Sequence, residues 1–364
     1  MHKKIDSFIG MSYFGVVFNA GGIWEQPGRR GCSHLMEHLM CKTYQDLYPE
    51  MRRHNVVDNA VTTDNRVVFW ARGLDECLSK FSQIMLDRLT KQEKLWTEEQ
   101  FDNEKKVVLQ EYGVCFNHQL GGTYYNLMRK HYKYGGPIGI RSDIEGFTYE
   151  DSLELAKELF QNPRLICTVG NHDVSFDGEF KTPDIPNPVE FSTYDLELET
   201  VPKEEQAIVF LVHRKPLGLG AAAITSLISS CISEGLESPL YQEVREKRGL
   251  AYGVGAYECV MGNRIVPLVG AETREQTKDE LIKVFNDFFS QKMEDIISEE
   301  RFETCKSGLI YDEREAHILP HIGALKTVMG DFNPYERIGD LEYHAAMRYA
   351  NRAFSLDNFE IMVH

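Results

Sequence analysis

Short runs of apolar residues alternate along the chain with longer stretches in which apolar residues recur every three or four positions. The first pattern predicts β-strands and the second predicts amphipathic helices. In the first half, strands are predicted at 9–19, 67–70 and 165–169. Helices are predicted there at about 74–89, 97–111 and 149–160. We assign no regular element to the tyrosine-rich stretch at 124–134.

The second half repeats this order of elements. Strands are predicted at 207–212 and 251–260, and helices from 221, around Arg245, at 277–293 and at 298–311. Between the halves, three prolines mark a linker, namely Pro183, Pro186 and Pro188. A chain of this length can bury two cores. We therefore expect a first domain at 1–180, a linker at 181–204 and a second domain at 205–364.

Composition narrows the possible partners. The 364 residues are 42% hydrophobic and 26% charged, which is ordinary for a globular protein. A net charge of -16 argues against nucleic acid as a partner, because nucleic-acid binding needs a basic surface. An acidic surface could instead favour basic peptides. The most apolar later run, 217–232, is too short to span a bilayer, so no membrane partner is expected.

Eight cysteines are spread widely and form no C-x-x-C pair. In a chain of this length they are typical of reduced thiols in an intracellular protein. The basic start, Met1 to Lys4, is followed by Asp6 and not by a long apolar segment, so no export signal is predicted. We expect the protein in the cytoplasm.

The five residues 34–38 read H-x-x-E-H, the inverted form of a zinc-hydrolase signature. On a helix, His34 and His38 are one turn apart, so both imidazoles can hold one metal ion. Glu37 lies beside them, where a carboxylate could take a proton from water. An ordinary amphipathic helix with two surface histidines is the alternative interpretation, and the motif alone does not exclude it.

A catalytic zinc normally has three protein ligands, so a third ligand is needed. The helix predicted at 97–111 begins with Thr97, a plausible N-cap, and carries Glu104 and Glu111 two turns apart on one face. Glutamates on such a helix are usually just solvated. Cys41 follows the motif closely and could approach the metal, although a buried bystander is favoured. His317 and His321 are also four apart, but Pro320 disfavours a helix there.

These motifs together resemble the insulinase/pitrilysin family of zinc peptidases, which includes the mitochondrial processing peptidases. The family pattern E-K-x-V-V-L-x-E is matched from Glu104 to Glu111, and the approach Gly21-Gly22-Ile23-Trp24-Glu25 fits as well. The resemblance implies that His34, His38 and Glu111 bind one Zn²⁺ per chain. It implies that Glu37 is the general base and that Glu104 orients the site as a supporting catalytic carboxylate.

Two further segments resemble the substrate-binding parts of this family. The run Asn59-Ala60-Val61-Thr62 is similar to an edge strand that pairs with an extended peptide, which implies substrate-binding roles for Asn59, Ala60 and Thr62. The segment 235–252 matches G-x-x-S-x-L-x-x-x-x-R-x-x-x-G-L-x-Y. By this match, Arg245 and Tyr252 hold the substrate near the scissile bond. A solvated arginine and a core tyrosine remain the plain alternative.

The resemblance implies an α+β fold of two related domains, each an antiparallel sheet packed with helices. In the second domain the helix at 221–228 carries no metal ligands, as expected for the family. Half-length members similar to the processing peptidases pair their units. We therefore expect a homodimer, or a heterodimer with a related subunit, in which Arg245 and Tyr252 serve the partner's zinc site. Tyr124 and Tyr125 could line the substrate chamber. Cys41-Lys42-Thr43-Tyr44 departs from the family by lacking a Gly-Thr pair.

The function expected from these features is a zinc-dependent endopeptidase that cuts peptides or unfolded segments, with Glu37 as general base. The alternative is an inactive scaffold or a peptide-binding subunit of a larger processing complex. A partner that binds a leader peptide but cleaves it poorly is a third possibility. The complete set of His34, Glu37, His38 and Glu111 favours the enzyme, because a scaffold has no use for it.

Overall fold

The computed structural model describes residues 1–5, 10–181, 196, 198–201, 206–261, 263–318 and 337–364. Within these ranges the chain forms two sheets of five strands, each packed against helices. The predicted α+β class is therefore confirmed. The three prolines of the predicted linker lie outside the described residues, as do His321 and the side chain of His317.

The first sheet has the strand order β1-β5-β2-β4-β3. Its strands are β1 (His2–Ile5), β2 (Met11–Phe18), β3 (Val57–Thr62), β4 (Val67–Leu74) and β5 (Leu165–Val169). All neighbours are antiparallel except β1 and β5, which are parallel. Strand β3 pairs only with β4 among the described strands, so it is an edge of this sheet with one row of backbone groups unpaired.

Seven helices belong to the described first half. They are α1 (Cys32–Lys42), α2 (Tyr48–Arg53), α3 (Asp75–Lys91), α4 (Glu98–Asn117), α5 (Gln119–Tyr132), α6 (Arg141–Gly146) and α7 (Tyr149–Phe160). Helix α4 begins where Thr97 predicts it. The Thr97 hydroxyl accepts from the Gln100 N–H at 3.2 Å, and the Gln100 side chain accepts from the Thr97 N–H at 2.9 Å. Helix α5 occupies most of the tyrosine-rich stretch to which no element was assigned.

The main core of the first half lies between the sheet and its helices. Helix α1 contributes one apolar face to it, with Leu35, Met36, Leu39 and Met40 all fully buried. Burying these side chains fixes the rotation of the helix about its axis. The other residues of the H-x-x-E-H motif, namely His34, Glu37 and His38, therefore lie on the side of α1 that faces away from this core.

The second sheet has the order β10-β6-β9-β7. Strand β8 lies outside this order and pairs with β9 on the side opposite to β6. Its strands are all antiparallel: β6 (Gln206–His213), β7 (Leu217–Gly218), β8 (Ala251–Met261), β9 (Arg264–Arg274) and β10 (Phe359–Val363). Its helices are α8 (Ala222–Ser233), α9 (Pro239–Tyr241), α10 (Lys278–Phe289), α11 (Met293–Ile296), α12 (Glu299–Ile318) and α13 (Tyr343–Ala353). A π-helical segment covers Gln242–Glu246. Strands β9 and β10 and helix α13 were not predicted.

Helix α5 joins the two halves. Leu127 and Met128 of this helix are buried in one cluster with Phe210 and Leu268 of the second sheet. The Tyr132 hydroxyl donates to the His213 carbonyl, and the Gln119 side chain donates to the Gln206 carbonyl at 2.9 Å. The second sheet is thus covered by its own helices on one face and by α5 on the other. No helix of the described residues is both long and apolar enough to cross a lipid bilayer.

Candidate metal centre and active site

The start of helix α1 is fixed by a buried carboxylate and a close backbone contact. Glu25 accepts from the backbone N–H groups of Gly31 and Ser33, both at 2.6 Å. Burial raises the pKa of Glu25 to about 7, against these hydrogen bonds, which lower it. A Cβ on Gly139 would lie 2.1 Å from the Gly31 Cα, and both glycines have positive φ values. Only glycines allow this approach, which sets where α1 begins.

Helices α1 and α4 bring the three expected metal ligands together. The Nε2 atoms of His34 and His38 lie 3.4 Å and 3.7 Å from Glu111 Oε2. One ligand atom from each of the three side chains lies within 4.8 Å of the others. Tetrahedral zinc ligands with bonds of about 2.0–2.1 Å are about 3.3 Å apart, so the group has the size that zinc needs. Cys41 does not belong to this group.

The surroundings of the two imidazoles also suit a metal. Burial, helped by His38, lowers the pKa of His34 to about 4, so its ring is neutral at physiological pH. The buried Nδ1 of His34 has no hydrogen-bond partner among the described residues. The Nδ1 of His38 lies 3.1 Å from Glu104 Oε2. Since a carboxylate accepts, Nδ1 carries a hydrogen, and Nε2, on the side of Glu111, is the ring nitrogen left to bind a metal. The donor set therefore fits a zinc ion.

Glu37 stands between this group and the edge strand. Its Oε2 accepts from the Thr62 hydroxyl of β3 at 2.6 Å. Burial raises the pKa of the Glu37 carboxyl, against the Thr62 hydrogen bond and the charge of His38, which lower it. A half-buried carboxylate beside three ligand side chains is placed to exchange a proton with a water molecule or an amine there.

Glu104 connects the ligand His38 to a lysine. Its Oε2 contacts His38, as described, and its Oε1 lies 2.6 Å from the Lys42 ammonium. The Glu104 side chain is 14% exposed. Glu104 is thus placed to orient His38 and is too far along α4 to share the position of Glu111, two turns away.

Two cavities flank the ligand group along β3. One of about 410 Å³ is lined by Glu37, His38, Lys42, Tyr48, Asp58 and Asn59, among others. The other, of about 330 Å³, is lined by Tyr125, Pro137 and Ile138, which form its apolar wall, together with Thr62 and the expected ligands. Ala60 borders both cavities. The predicted substrate residues Asn59, Ala60 and Thr62 therefore lie along the boundary of the metal centre.

Arg245 and Tyr252 contact each other and do not line the cavities beside this group. The Arg245 guanidinium carbon is 4.5 Å from the centre of the Tyr252 ring, and Arg245 donates to the Tyr252 carbonyl at 3.0 Å. Tyr252 is 86% exposed. It lines a third cavity, of about 1140 Å³, together with Tyr124 and Tyr125. Neither Arg245 nor Tyr252 lines the two cavities beside the ligands.

Two residues of the site, Lys42 and Glu25, were given no role from the sequence. Lys42 follows His38 by one helical turn, and this spacing was the available signal. Glu25 ends the segment Gly21-Gly22-Ile23-Trp24-Glu25 that resembles the family, but nothing in the sequence showed that its carboxylate accepts hydrogen bonds from the start of α1. Tyr125, by contrast, was expected from the sequence to line a substrate chamber, and it borders both the ligand cavity and the large cavity.

Two family models match the chain. The one described as "Insulinase (Peptidase family M16)" matches residues 6–131, and the one described as "Peptidase M16 inactive domain" matches residues 146–309. The chain belongs to the insulinase family of peptidases. The predicted resemblance to half-length members of the insulinase/pitrilysin family is confirmed.

Curated relatives of this family member carry zinc protease names. An "Uncharacterized zinc protease" of Rickettsia felis is 25% identical over an alignment of 357 residues that covers 90% of this chain and 84% of the relative. "Uncharacterized zinc protease YmxG" of Bacillus subtilis is 24% identical over 67% of this chain and 64% of its own. "Zinc protease PqqE" of Helicobacter pylori is 23% identical over 68% of this chain and 61% of its own.

Solved structures share the fold of this peptidase-family chain. A peptidase M16 inactive domain from Pseudomonas fluorescens aligns with a TM-score of 0.75 and 15% identity, over 99% of this chain and 94% of that one. A protease from Helicobacter pylori aligns with a TM-score of 0.72 and 16% identity, over 100% and 95%. At these identities the likeness establishes the fold alone.

Proposed function

We propose that this insulinase-family chain is a zinc-dependent endopeptidase that hydrolyses peptide bonds in peptides or unfolded segments. The observation that carries the proposal is the position of Glu37. Its carboxylate lies beside His34, His38 and Glu111 and is hydrogen-bonded to the unpaired edge strand through Thr62. A proton-exchanging group, a metal-ligand group and a peptide-binding edge thus meet at one place.

The chemistry follows from these groups. A zinc ion held by His34, His38 and Glu111 would polarise the scissile carbonyl and make a water molecule more acidic. Glu37 takes a proton from the attacking water at its carboxylate and afterwards delivers it to the leaving amine. The Thr62 hydrogen bond keeps one oxygen of Glu37 engaged, so the other oxygen handles the proton. Glu104 holds the ring of His38 in the orientation that turns Nε2 toward the ligand group.

The substrate is proposed to bind as an added strand on β3. The free edge of β3 offers backbone donors and acceptors to an extended peptide, and such pairing requires a segment that is not folded. Side chains of the peptide would enter the two cavities on either side of Ala60. The wall of Tyr125, Pro137 and Ile138 suits an apolar side chain in one of them.

We further propose that the protein works as a dimer, with an identical or a related partner subunit. Arg245 and Tyr252 do not line the cavities beside the ligand group of their own chain, although they match the substrate-holding pair of the family. The exposed ring of Tyr252 is free to approach a second chain.

We also propose the cytoplasm as the compartment, because all eight cysteines are free thiols. Cell fractionation tests this location.

Metal analysis combined with cleavage of a quenched peptide library tests the proposed activity. We expect one zinc per chain, and a loss of cleavage of about 100- to 10,000-fold in Glu37→Gln with zinc retained. Glu93→Gln, at an exposed position, is the matched control and should behave as wild type. A wild-type protein that binds no zinc would sink the peptidase assignment. Zinc binding without Glu37-dependent cleavage would favour the scaffold or peptide-binding subunit.

A further inference from the structure

Lys42 and His38 hold opposite oxygens of one carboxylate. Lys42 is the last residue of α1, one turn after His38, and its Nζ lies 2.6 Å from Glu104 Oε1. The other oxygen, Oε2, lies 3.1 Å from His38 Nδ1. The carboxylate of Glu104 on α4 is therefore held between two residues of α1, and both contacts involve charged or ring N–H donors.

The contact between Lys42 and Glu104 differs from an ordinary surface ion pair. The side chains of Lys42 and Glu104 are 27% and 14% exposed. Exposed ion pairs contribute little to folding stability, because water screens the charges and both side chains stay mobile. In this half-buried position, a carboxylate with only one partner could rotate about its terminal bond. A second donor on the opposite oxygen fixes the plane of the carboxylate, and with it the direction of the bond to His38.

We propose that Lys42 is a positioning residue for the metal centre, acting through Glu104 on His38. This inference rests on the proposed zinc site. The hydrogen bond from His38 Nδ1 to Glu104 selects the ring tautomer whose Nε2 lone pair is free for a metal. Lys42 keeps Glu104 in place to accept that hydrogen bond. The carboxyls of Glu104 and Glu111 lie near different nitrogens of the His38 ring, and Lys42 pairs with the one that is not assigned to metal binding.

If the ion pair between α1 and α4 were purely structural, its loss would have different effects on stability and zinc affinity. It would stabilise the fold equally with and without metal, and its loss would leave the intrinsic zinc affinity unchanged. A positioning role changes zinc affinity, and it does so only while Glu104 is able to accept from His38. The two roles are therefore separated by zinc binding in single and double variants.

The test measures zinc dissociation constants by competition with a chelator, and thermal unfolding of the metal-free protein. Lys42→Met keeps the length of the side chain and removes the charge, and we expect about 10-fold weaker zinc binding. Lys42→Arg should recover most of the affinity. Lys106→Met, an exposed lysine on α4, is the matched control and should bind zinc as wild type does.

The decisive comparison adds Lys42→Met to Glu104→Gln. If Lys42 acts through Glu104, Lys42→Met should lower zinc affinity little further once Glu104→Gln is present. An equal further loss in the Glu104→Gln background would overturn the inference, as would wild-type affinity in Lys42→Met. Both results leave the peptidase assignment intact, because the wild type still binds zinc. Absence of zinc from the wild type would instead overturn both.

Discussion

The Thr62 hydroxyl donates to Glu37 at 2.6 Å and so ties the edge of the first sheet to α1, the helix of the two candidate histidine ligands. Thr62 is the last residue of β3, and Glu37 lies in the middle of α1. The strand proposed to align the peptide and the carboxylate proposed to move the proton are therefore positioned by one contact. A shift of either element would change the distance between the bound peptide and Glu37.

Thr62→Val tests this contact, because valine keeps the shape of threonine and removes the donor. We expect kcat to fall about 10- to 100-fold, since hydrogen bonds to charged groups contribute about 1.5–3 kcal/mol. Zinc content should not change, because Thr62 touches none of the three ligands' metal-facing atoms. Thr62→Ser keeps the hydroxyl and should stay close to wild type. Equal kcat values for the valine and serine variants would contradict a role for the hydrogen bond.

Zinc should stabilise the folded chain through Glu111. A ligand that binds only the native state, at about 100 times its dissociation constant, adds about 2.7 kcal/mol to the free energy of unfolding. Calorimetry of the metal-free protein with and without added zinc should therefore show a higher melting temperature with zinc. In Glu111→Gln this increase should largely disappear, because the carboxylate that lies near both imidazoles is lost.

The control for this prediction is Glu99→Gln, the same substitution at an exposed position in the first turn of the same helix. It should keep the zinc-dependent increase in melting temperature. If zinc stabilised Glu111→Gln as strongly as wild type, Glu111 would not be a ligand. Stabilisation lost equally in both variants would point to a general effect of charge on α4.

Gly139→Ala should displace the start of helix α1. The new Cβ would lie 2.1 Å from the Gly31 Cα, and Gly139 has a φ of 72°, which alanine adopts only with strain. We expect a loss of about 3 kcal/mol or more in the free energy of unfolding, together with weaker zinc binding. Gly146→Ala is the control, since a Cβ there meets nothing within 4 Å. Unchanged zinc affinity in Gly139→Ala would show that α1 is held in place by other contacts.

Local sequence patterns were sufficient for the two helices that carry the ligands. The spacing of His34 and His38 and the apolar positions Leu35 and Leu39 place the ligands and the core contacts on different sides of α1. The Thr97 cap and the apolar Val108 place α4 as predicted. In both helices the information lies within one or two turns of the residue concerned, so no knowledge of the tertiary structure is needed.

Contacts between distant segments could not be predicted in this way. Helix α5 contains Gly121 and Gly122, which argue for a turn, and its helical form depends on packing Leu127 and Met128 against the second sheet. Strand β9 contains Pro267, which argues against a central strand. The contact of Lys42 with Glu104 requires the packing of α1 on α4 to be known.

Folding stability should decrease in mild acid because of His172. Its ring is 4% exposed, and neither ring nitrogen has a hydrogen-bond partner among the described residues. Burial lowers the pKa of His172 below its ordinary value of 6.5; Asp75 and Asp173 oppose this shift, and Lys4 and His2 add to it. Below pH 6.5 the unfolded chain takes up a proton that the folded chain does not. Stability therefore decreases as the pH is lowered below 6.5, by up to about 1.4 kcal/mol per pH unit.

Denaturant unfolding of His172→Leu between about pH 5 and 8 checks this effect. Leucine cannot be protonated, so the slope of stability against pH below 6.5 should become shallower than in wild type. His172→Gln is polar but equally unable to titrate, and it should show the same shallower slope even if its stability at neutral pH is lower. A wild-type slope in both variants would exclude His172 as the source.

Mixing two inactive variants tests whether Arg245 serves the metal centre of a partner chain. Arg245 is stacked on Tyr252 at the large cavity and does not line the cavities beside the ligands. Glu37→Gln removes the proposed base, and Arg245→Ala removes the proposed substrate contact. In a mixed homodimer, one of the two sites would combine an intact Glu37 with an intact Arg245. An equal mixture that exchanges freely should recover about one quarter of wild-type activity.

The matched control mixes Glu37→Gln with His34→Ala. Both substitutions then lie in the first half, so each chain carries a defective metal centre. Every site in the mixed dimer is therefore defective, and no activity should return. If the Arg245→Ala mixture stays as inactive as this control, although subunit exchange is verified with labelled chains, Arg245 acts within its own chain or does not act on substrate. If wild type alone is inactive and gains activity only with a related subunit, the dimer is a heterodimer and Arg245 must be tested in each chain separately.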